Sequence, residues 1–461
     1  MVSPTGCSGG RAVRAPARLI CVVWIAPIVL LCATVLGIPE QKPEKAAASA
    51  LLVVASGELN GHLTPCGCSK PMLGGLPRRA SYLTGLPGTM PVVRLENGDL
   101  TEALGRQDEL KAETAVEMLD RMKYDAINLG EKDFQLGTPY LQALGARFKG
   151  ALLCANARDD KGAPLFKESV VLKRQAAGRP VRVAIVGLIS EQYGDAIHTL
   201  SPEVTIETPE TTLKRLMPPL LAQSDVRILL YHGPKAEAEA LAQQFTMFQL
   251  VVCAHEGDVP SALQQIGASG LLSGGEDGKR LAAVRLQPEP GGRAASTQVT
   301  LTPDYADDRD TIEIKKAYLQ RVTAEGLLDK TPRTPTASGA AYAGTQSCAT
   351  CHAAADAVWR LSGHAHALRT LAKEGEDRDP ECVRCHVVGL ERQTGFASHK
   401  KTPDLENVGC ESCHGPASKH VADPKNRLEK AGSAACGQCH VVQHSPHFDF
   451  QPYWAKIKHG P

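Results

Sequence analysis

Four copies of one short pattern constrain this chain more than anything else in it. Cys348-Ala-Thr-Cys351-His352, Cys382-Val-Arg-Cys385-His386, Cys410-Glu-Ser-Cys413-His414 and Cys436-Gly-Gln-Cys439-His440 all read Cys-x-x-Cys-His. That is the attachment pattern of a c-type haem: the cysteines form thioethers to the vinyl groups, and the adjoining histidine reaches the iron. Zinc knuckles also use paired cysteines, but zinc does not require a histidine directly after every second one. Four motifs predict four haem c groups. A segment as short as 342–461 cannot keep them apart, so they must pack into one conducting array. The porphyrins then supply apolar core to a chain with only 4% aromatic residues.

With 461 residues the chain is too long for one ordinary domain. A net charge of +1 gives no reason to expect a nucleic acid partner. Outside the motifs stand Cys7, Cys21, Cys32, Cys66, Cys68, Cys154 and Cys253, an odd remainder that argues against a complete disulfide framework. At the N-terminus Arg11, Arg14 and Arg18 precede an uncharged apolar run, Leu19 to Ile38. This reads as a signal peptide or an inner-membrane anchor, with a spacer completing 1–45. Either reading makes the remainder periplasmic or exported, where c-type haem is attached. Redox proteins are the expected partners, and the inner membrane joins them if the segment is uncleaved.

From Leu51 onward short apolar runs alternate with helical patterns. Strands are expected at Leu51–Ala55, Val92–Leu95, Ala126–Leu129, Ala151–Ala155, Val181–Gly187, Val226–Tyr231 and Leu250–Ala254, closed by Leu281–Leu286 and Gln298–Leu301. The clearest helix is Glu109–Tyr124, with Ala115, Met118, Leu119 and Met122 on one face. The alternation predicts an α/β domain over 46–305. A charged helix and a Thr/Pro/Ala/Gly-rich linker fill 306–341, and a mainly α, haem-packed domain fills 342–461. In open α/β sheets, ligands bind beyond the carboxyl ends of the strands. There the sequence places Glu58, Asn60 and His62, then Asp99, Glu131 and Lys132, Cys154, His232 and His255. Carboxylates and imidazoles after successive strands suggest a metal site built from loop tips. Cys66, Cys68, Cys154 and Cys253 read as inert or disulfide-bonded, with a thiolate metal or redox site as the alternative.

Region 51–302 resembles the metal-binding domain of 5'-nucleotidases and related calcineurin-like metallophosphoesterases. Gly74-Gly-Leu-Pro-Arg78-Arg79-Ala80, Gly98-Asp99, Tyr124-Asp125-Ala126 and Ala155-Asn156 carry the likeness. It implies a sandwich fold and a two-metal centre, from which this sequence departs. Glu58 stands for the family's first aspartate, Asn60 for a histidine, Glu131 for an asparagine, Lys132 for the catalytic histidine and Gly257 for the last histidine. One site is expected to survive, with Asp99, Glu131, His232 and His255 holding one divalent ion (Mn, Zn or Fe). Loss of the second weakens the case for phosphate-ester hydrolysis.

Residues 342–461 resemble the multihaem cytochrome c-554 family. The likeness is carried by Trp359-Arg-Leu-Ser-Gly-His364, Pro380-Glu-Cys382, the run from Cys410 through His420, and Phe450-Gln-Pro-Tyr-Trp454 leading to His459. It implies that His364, His420 and His459 are distal haem ligands, which is three for four haems. One iron is left five-coordinate unless His366, His399 or His444 fills it. The expected function is electron transfer by an exported multihaem cytochrome carrying a degenerate metallophosphoesterase-like domain. The alternatives are a 5'-nucleotidase-like phosphoesterase with a fused cytochrome, and a haem-based reductase of a small nitrogen or sulfur oxyanion.

Overall fold

The computed structural model describes residues 50–65, 71–289, 292–442 and 444–460. The expected signal or anchor and the Cys66–Cys68 pair lie outside the described residues.

Among the described residues, fourteen strands build the first half of the structure. One sheet takes β1 (Leu51–Ser56), β2 (Val92–Asn97), β3 (Ala126–Asn128), β4 (Ala151–Leu153), β13 (Arg280–Leu286) and β14 (Ala294–Thr300), in the order β14-β13-β1-β2-β3-β4. The second takes β6 (Ser169–Ala176), β7 (Arg179–Ile189), β9 (Val226–His232), β10 (Leu250–Cys253), β11 (Gln264–Ile266) and β12 (Ser269–Ser273), in the order β11-β12-β10-β9-β7-β6. β5 (Ala157–Arg158) and β8 (Thr205–Ile206) form a small separate pair. Central strands run parallel, and antiparallel strands close the edges at β13, β14, β6 and β11.

Alternation along β1 explains the layering. Leu51, Val53 and Ala55 face β7, β9 and β10, meeting Val183, Ile185, Ile228, Leu230 and Val252 between the sheets. Leu52 and Val54 face outward and are covered by α1 (Leu76–Thr84) and α2 (Arg106–Arg121), through Leu76, Leu83, Leu110, Met118 and Leu119. The outer face of the second sheet is covered by α3 (Pro209–Gln223) and α4 (Lys235–Gln244). Because both sheet faces are buried, these strands read as unbroken apolar runs.

A charged pair also sits inside this half. Arg79, on α1, is fully buried against Glu96 of β2, with Nη1 2.6 Å from Oε2. Ser56 and Tyr124 complete its surroundings.

Helix α5 (Arg309–Ala324) packs on α2 and leads to the C-terminal region of short helices. The expected linker is ordered along that region. The Thr334 N–H donates to the Glu391 carbonyl (2.9 Å), and the Ala343 and Gly344 N–H groups donate to the Glu411 carboxylate. The apolar cluster here is small, built mainly from Leu368, Leu371, Val383, Val387, Val388, Leu390, Phe396 and Leu405. No described helix is long and apolar enough to cross a membrane.

Candidate metal and haem centres

The loop after β2 carries Asp99, the loop after β3 carries Glu131, β9 ends at His232, and His255 follows β10. The ligand atoms of these four residues all lie within 4.8 Å of one another. The backbone is bent to bring them there: Asp99 (φ 52°) and His255 (φ 59°) adopt left-handed conformations, as do Glu58 (φ 51°) and Asn60 (φ 48°). Non-glycine residues in that region cost energy and gather at functional sites. Gly130 has to be glycine, because a Cβ there would lie 2.1 Å from Asp99 Oδ1.

Hydrogen bonds aim the ligands. His232 Nδ1–H donates to the Asn97 carbonyl (2.7 Å), which leaves Nε2 beside Glu131 Oε2 (2.8 Å). This is the outer-shell bond that fixes a metal-binding imidazole. His255 Nδ1 lies 2.9 Å from Glu58 Oε1. Asp133 accepts from the N–H groups of Asp99 (3.0 Å), Leu100 (2.8 Å) and Gly130 (2.9 Å), locking the two ligand loops together. Burial works to raise the Glu131 carboxyl, but the hydrogen-bonded His232 and the nearby His255 imidazole hold it well below the usual carboxylate range. Burial and the neighbouring Asp99 charge push Asp133 up to about 7. Asp99 Oδ2 and His255 Nε2 are buried with no hydrogen-bond partner among the described residues. Orphaned acceptor atoms inside a ring of ligands are what a cation would satisfy, so the residues fit a metal ion. Two imidazoles and two carboxylates suit zinc, iron or manganese.

Asn60 and Lys132 stand beside the cluster. The Lys132 ammonium donates to Asn60 Oδ1 (2.9 Å) and lies 3.5 Å from Asp99 Oδ2. A positive side chain thus stands beside Asp99 at the edge of the cluster. Cys154 and Cys253 are buried, and burial pushes both thiols up to about 12, which leaves them neutral.

In the C-terminal region the imidazoles come in pairs. His352 faces His420 with ring centres 6.2 Å apart, His414 faces His459 at 5.9 Å, and His440 faces His364 at 6.3 Å. Two metal–imidazole bonds of about 2 Å, plus the distance from each nitrogen to its ring centre, add to about 6 Å. Each of these pairs, which unlike His62/His444 includes the histidine of a Cys-x-x-Cys-His motif, is therefore spaced to hold one iron. Nδ1 is engaged in His414 (Glu429 carbonyl, 3.1 Å), His420 (Asn426 carbonyl, 3.1 Å) and His440 (Ser445 Oγ, 3.3 Å), leaving Nε2 for the metal. His386 uses Nδ1 in the same way, on the Ala367 carbonyl (2.7 Å), but no imidazole of the described residues faces it at that spacing. His399 is held by Glu406 (2.8 Å) and Asp377 (3.4 Å), His366 lies 2.7 Å from Arg369, and His444 faces His62. The Cys348 thiol meets Cys410, and Cys385 meets Cys439. First and third attachment sites therefore lie side by side, as do second and fourth. These residues fit covalent haem, which when bound supplies one-electron redox chemistry.

The structure brings together the four residues that the sequence reading proposed as metal ligands, and adds Glu58 and Asp133 as hydrogen-bonding neighbours that were not proposed as ligands. The carboxylates after the strands were the available signal.

The sheets and their strand-end cluster define a metallophosphoesterase fold, and the histidine pairs with their cysteine motifs define a c-type cytochrome. Residues 347–415 match the family described as "Cytochrome c554 and c-prime". Cytochrome c-554 of Nitrosomonas europaea is 32% identical over 129 residues, 24% of this chain and 55% of that protein. The chain thus spans about half the length of this curated relative. Among solved structures, the 5'-nucleotidase precursor of Thermus thermophilus aligns with TM-score 0.51 and 20% identity, over 60% of this chain and 59% of that one. The calcineurin-like phosphoesterase YfkN of Bacillus subtilis aligns with TM-score 0.52 and 16% identity, over 59% of this chain and 97% of its own. Sulfate thiohydrolase SoxB of Thermus thermophilus gives TM-score 0.52 and 16% identity, over 62% of each chain. At these identities the structural likeness speaks for the fold alone. The chain carries a cytochrome c554 domain at its C-terminus, joined to a 5'-nucleotidase/calcineurin-like phosphoesterase fold.

Proposed function

We propose that this is an exported electron-transfer protein with four haem c groups and a phosphoesterase-like domain reduced to a single metal site. The observation that carries the reading is the set of three imidazole pairs at about 6 Å. Bis-histidine ligation closes an iron to other ligands and suits it to passing electrons. On this reading His352/His420, His414/His459 and His440/His364 each hold one iron. His386 holds the fourth with its sixth position open. Redox proteins outside the cytoplasm are the donors and acceptors, and the N-terminal segment is a signal peptide or inner-membrane anchor.

The phosphoesterase-like domain binds one divalent ion through Asp99, Glu131, His232 and His255. Lys132 argues against hydrolysis, because its ammonium takes the second ion's place and removes the shared-charge arrangement that two-metal hydrolysis requires. The open iron at His386 favours a second reading, reduction of a small nitrogen or sulfur oxyanion at that haem.

The test uses purified full-length protein. Mass spectrometry is expected to show four haems, and low-temperature EPR three low-spin irons for each high-spin one. Phosphate release from 5'-AMP and an aryl phosphate, with manganese, zinc or no metal, is expected to stay at background. Turnover abolished by Asp99→Ala would make the protein a cytochrome-coupled hydrolase instead.

A further inference from the structure

The short loop after β1 serves both centres. On one side the Asn60 N–H donates to the Asp99 carbonyl (2.9 Å), and the Asn60 side chain joins Lys132 beside the cluster. On the other, two residues along, the His62 ring faces His444 with centres 6.0 Å apart and planes inclined by 51°. His62 is anchored by the Leu59 carbonyl (3.1 Å) and lies 3.5 Å from Asp277, whose carboxylate also accepts from Asn60 (3.2 Å). His62 and Asp277 are only 14% and 11% exposed, so this junction is largely shielded from water.

His444 in turn belongs to the fourth haem site. Its N–H donates to the Val441 carbonyl (3.1 Å), one residue beyond the proximal ligand His440. The next residue, Ser445, is buried and meets His440 Nδ1 through Oγ (3.3 Å). From the fourth proximal ligand to Asp99 there is therefore one continuous run of hydrogen bonds, short chain and one ring–ring contact. A second tie holds the same faces together: Lys111, which lies against Gly61, pairs with Glu381 at the second haem motif. Electrons tunnel more readily through bonded and hydrogen-bonded atoms than across gaps, so this junction is the place where the two centres can communicate.

We infer that the junction of His444 and His62 wires the fourth haem to the Asp99–Glu131–His232–His255 cluster, and that the cluster's metal is a redox-active iron or manganese ion exchanging electrons with the haem array. This rests on the single-metal reading above and extends it. Two imidazoles and two carboxylates are donors that both the divalent and the trivalent ion accept. One electron is exchanged: as the haem iron goes from ferrous to ferric, the cluster ion goes from trivalent to divalent. No bond forms or breaks and no proton is needed. Spatial continuity alone is not coupling, so the experiment measures coupling directly.

Full-length haem-loaded protein is stripped with chelator and loaded with iron or, as a redox-silent control, zinc. Metal content is measured first. Failure to take up one ion per chain would refute the metal site and the inference together. The protein is then oxidised, freed of oxidant, and given one photochemical electron per chain while the haem band and the non-haem ferric EPR signal are followed. In the iron-loaded protein the ferrous haem band is expected to appear and then decay as the non-haem ferric signal is lost at the same rate. With zinc the band persists. His62→Leu and His444→Leu are expected to slow the decay about tenfold, the scale of a lost contact in a coupling path, with the haem EPR of His62→Leu unchanged. His444→Gln serves if the leucine variant does not fold. A persistent haem band despite bound iron, or equal rates in wild type and variants, would leave the metal site intact and overturn the wiring.

Discussion

Glu131 and Lys132, two adjacent residues, decide what the strand-end cluster can do. The carboxylate supplies a charged oxygen to the four-residue cluster, while the ammonium places a positive charge beside Asp99. Asp99→Ala is expected to weaken divalent metal binding by more than the roughly 10–100-fold that loss of an outer-shell partner costs, with Asp133→Asn inside that range; calorimetric titration with manganese checks both. Arg79 makes a separate prediction, about stability. Replacing it with Met strands Glu96 in a dry interior, where burial already works against the charged form. The expected loss is about 3–5 kcal/mol, read from urea unfolding. Asp99, His232 and His255 are legible in the sequence because each stands at or just beyond the end of a strand, in the first place a ligand can stand. Asp133 could not, since its role depends on three backbone N–H groups from two loops converging on one carboxylate.

At the scale of elements, the buried strands were the most legible part of the fold, because continuous Val, Leu and Ile runs mark a sheet covered on both faces. β6 was missed for the opposite reason. It is an edge strand whose short apolar run, Val170-Val171-Leu172, is only half-buried and gives way to Lys173, Arg174 and Gln175, so no sustained apolar pattern announces it. α1 was hidden by Pro77, Arg78 and Arg79, which look like a turn until Arg79 finds its buried partner. The haem-bearing helices were legible only through their motifs. They are four or five residues long and several bury none of their side chains, so helical periodicity has nothing to act on. The histidine pairs make these elements testable one at a time. His364→Ala, His420→Ala and His459→Ala are each expected to convert one low-spin iron to high-spin, raising the high-spin signal from one iron to two. His399→Ala, a residue held by carboxylates, is expected to leave the spectrum unchanged. EPR integration distinguishes the outcomes.

On the scale of the whole molecule, what matters is that the two halves are joined by more than a tether. Asp379 caps the short helix that carries Cys382, accepting from the Glu381 N–H (3.0 Å). The same carboxylate, only 5% exposed, accepts from Gln107 of α2 (2.6 Å) and Tyr318 of α5 (2.9 Å). Lys315 of α5 adds an ion pair with Glu376 (2.6 Å). The second haem motif is thus anchored by the phosphoesterase-like half and the connecting helix, so loss of either support is felt at the haem. Combining Tyr318→Phe with Gln107→Ala removes both outside donors and leaves a buried carboxylate short of partners, which costs about 1–3 kcal/mol. Lost at an interface, that energy reduces cooperativity more than it unfolds either half. In the wild-type protein the haem absorbance and the far-ultraviolet signal of the sheets are expected to melt together, since coincident probes mark one cooperative unit. In the double variant the haem transition is expected at lower temperature, separated from the sheet transition. Coincident melting in both proteins would mean that the Asp379 contacts do not couple the halves, and the ordered segment against Glu391 and Glu411 would then be the remaining structural link.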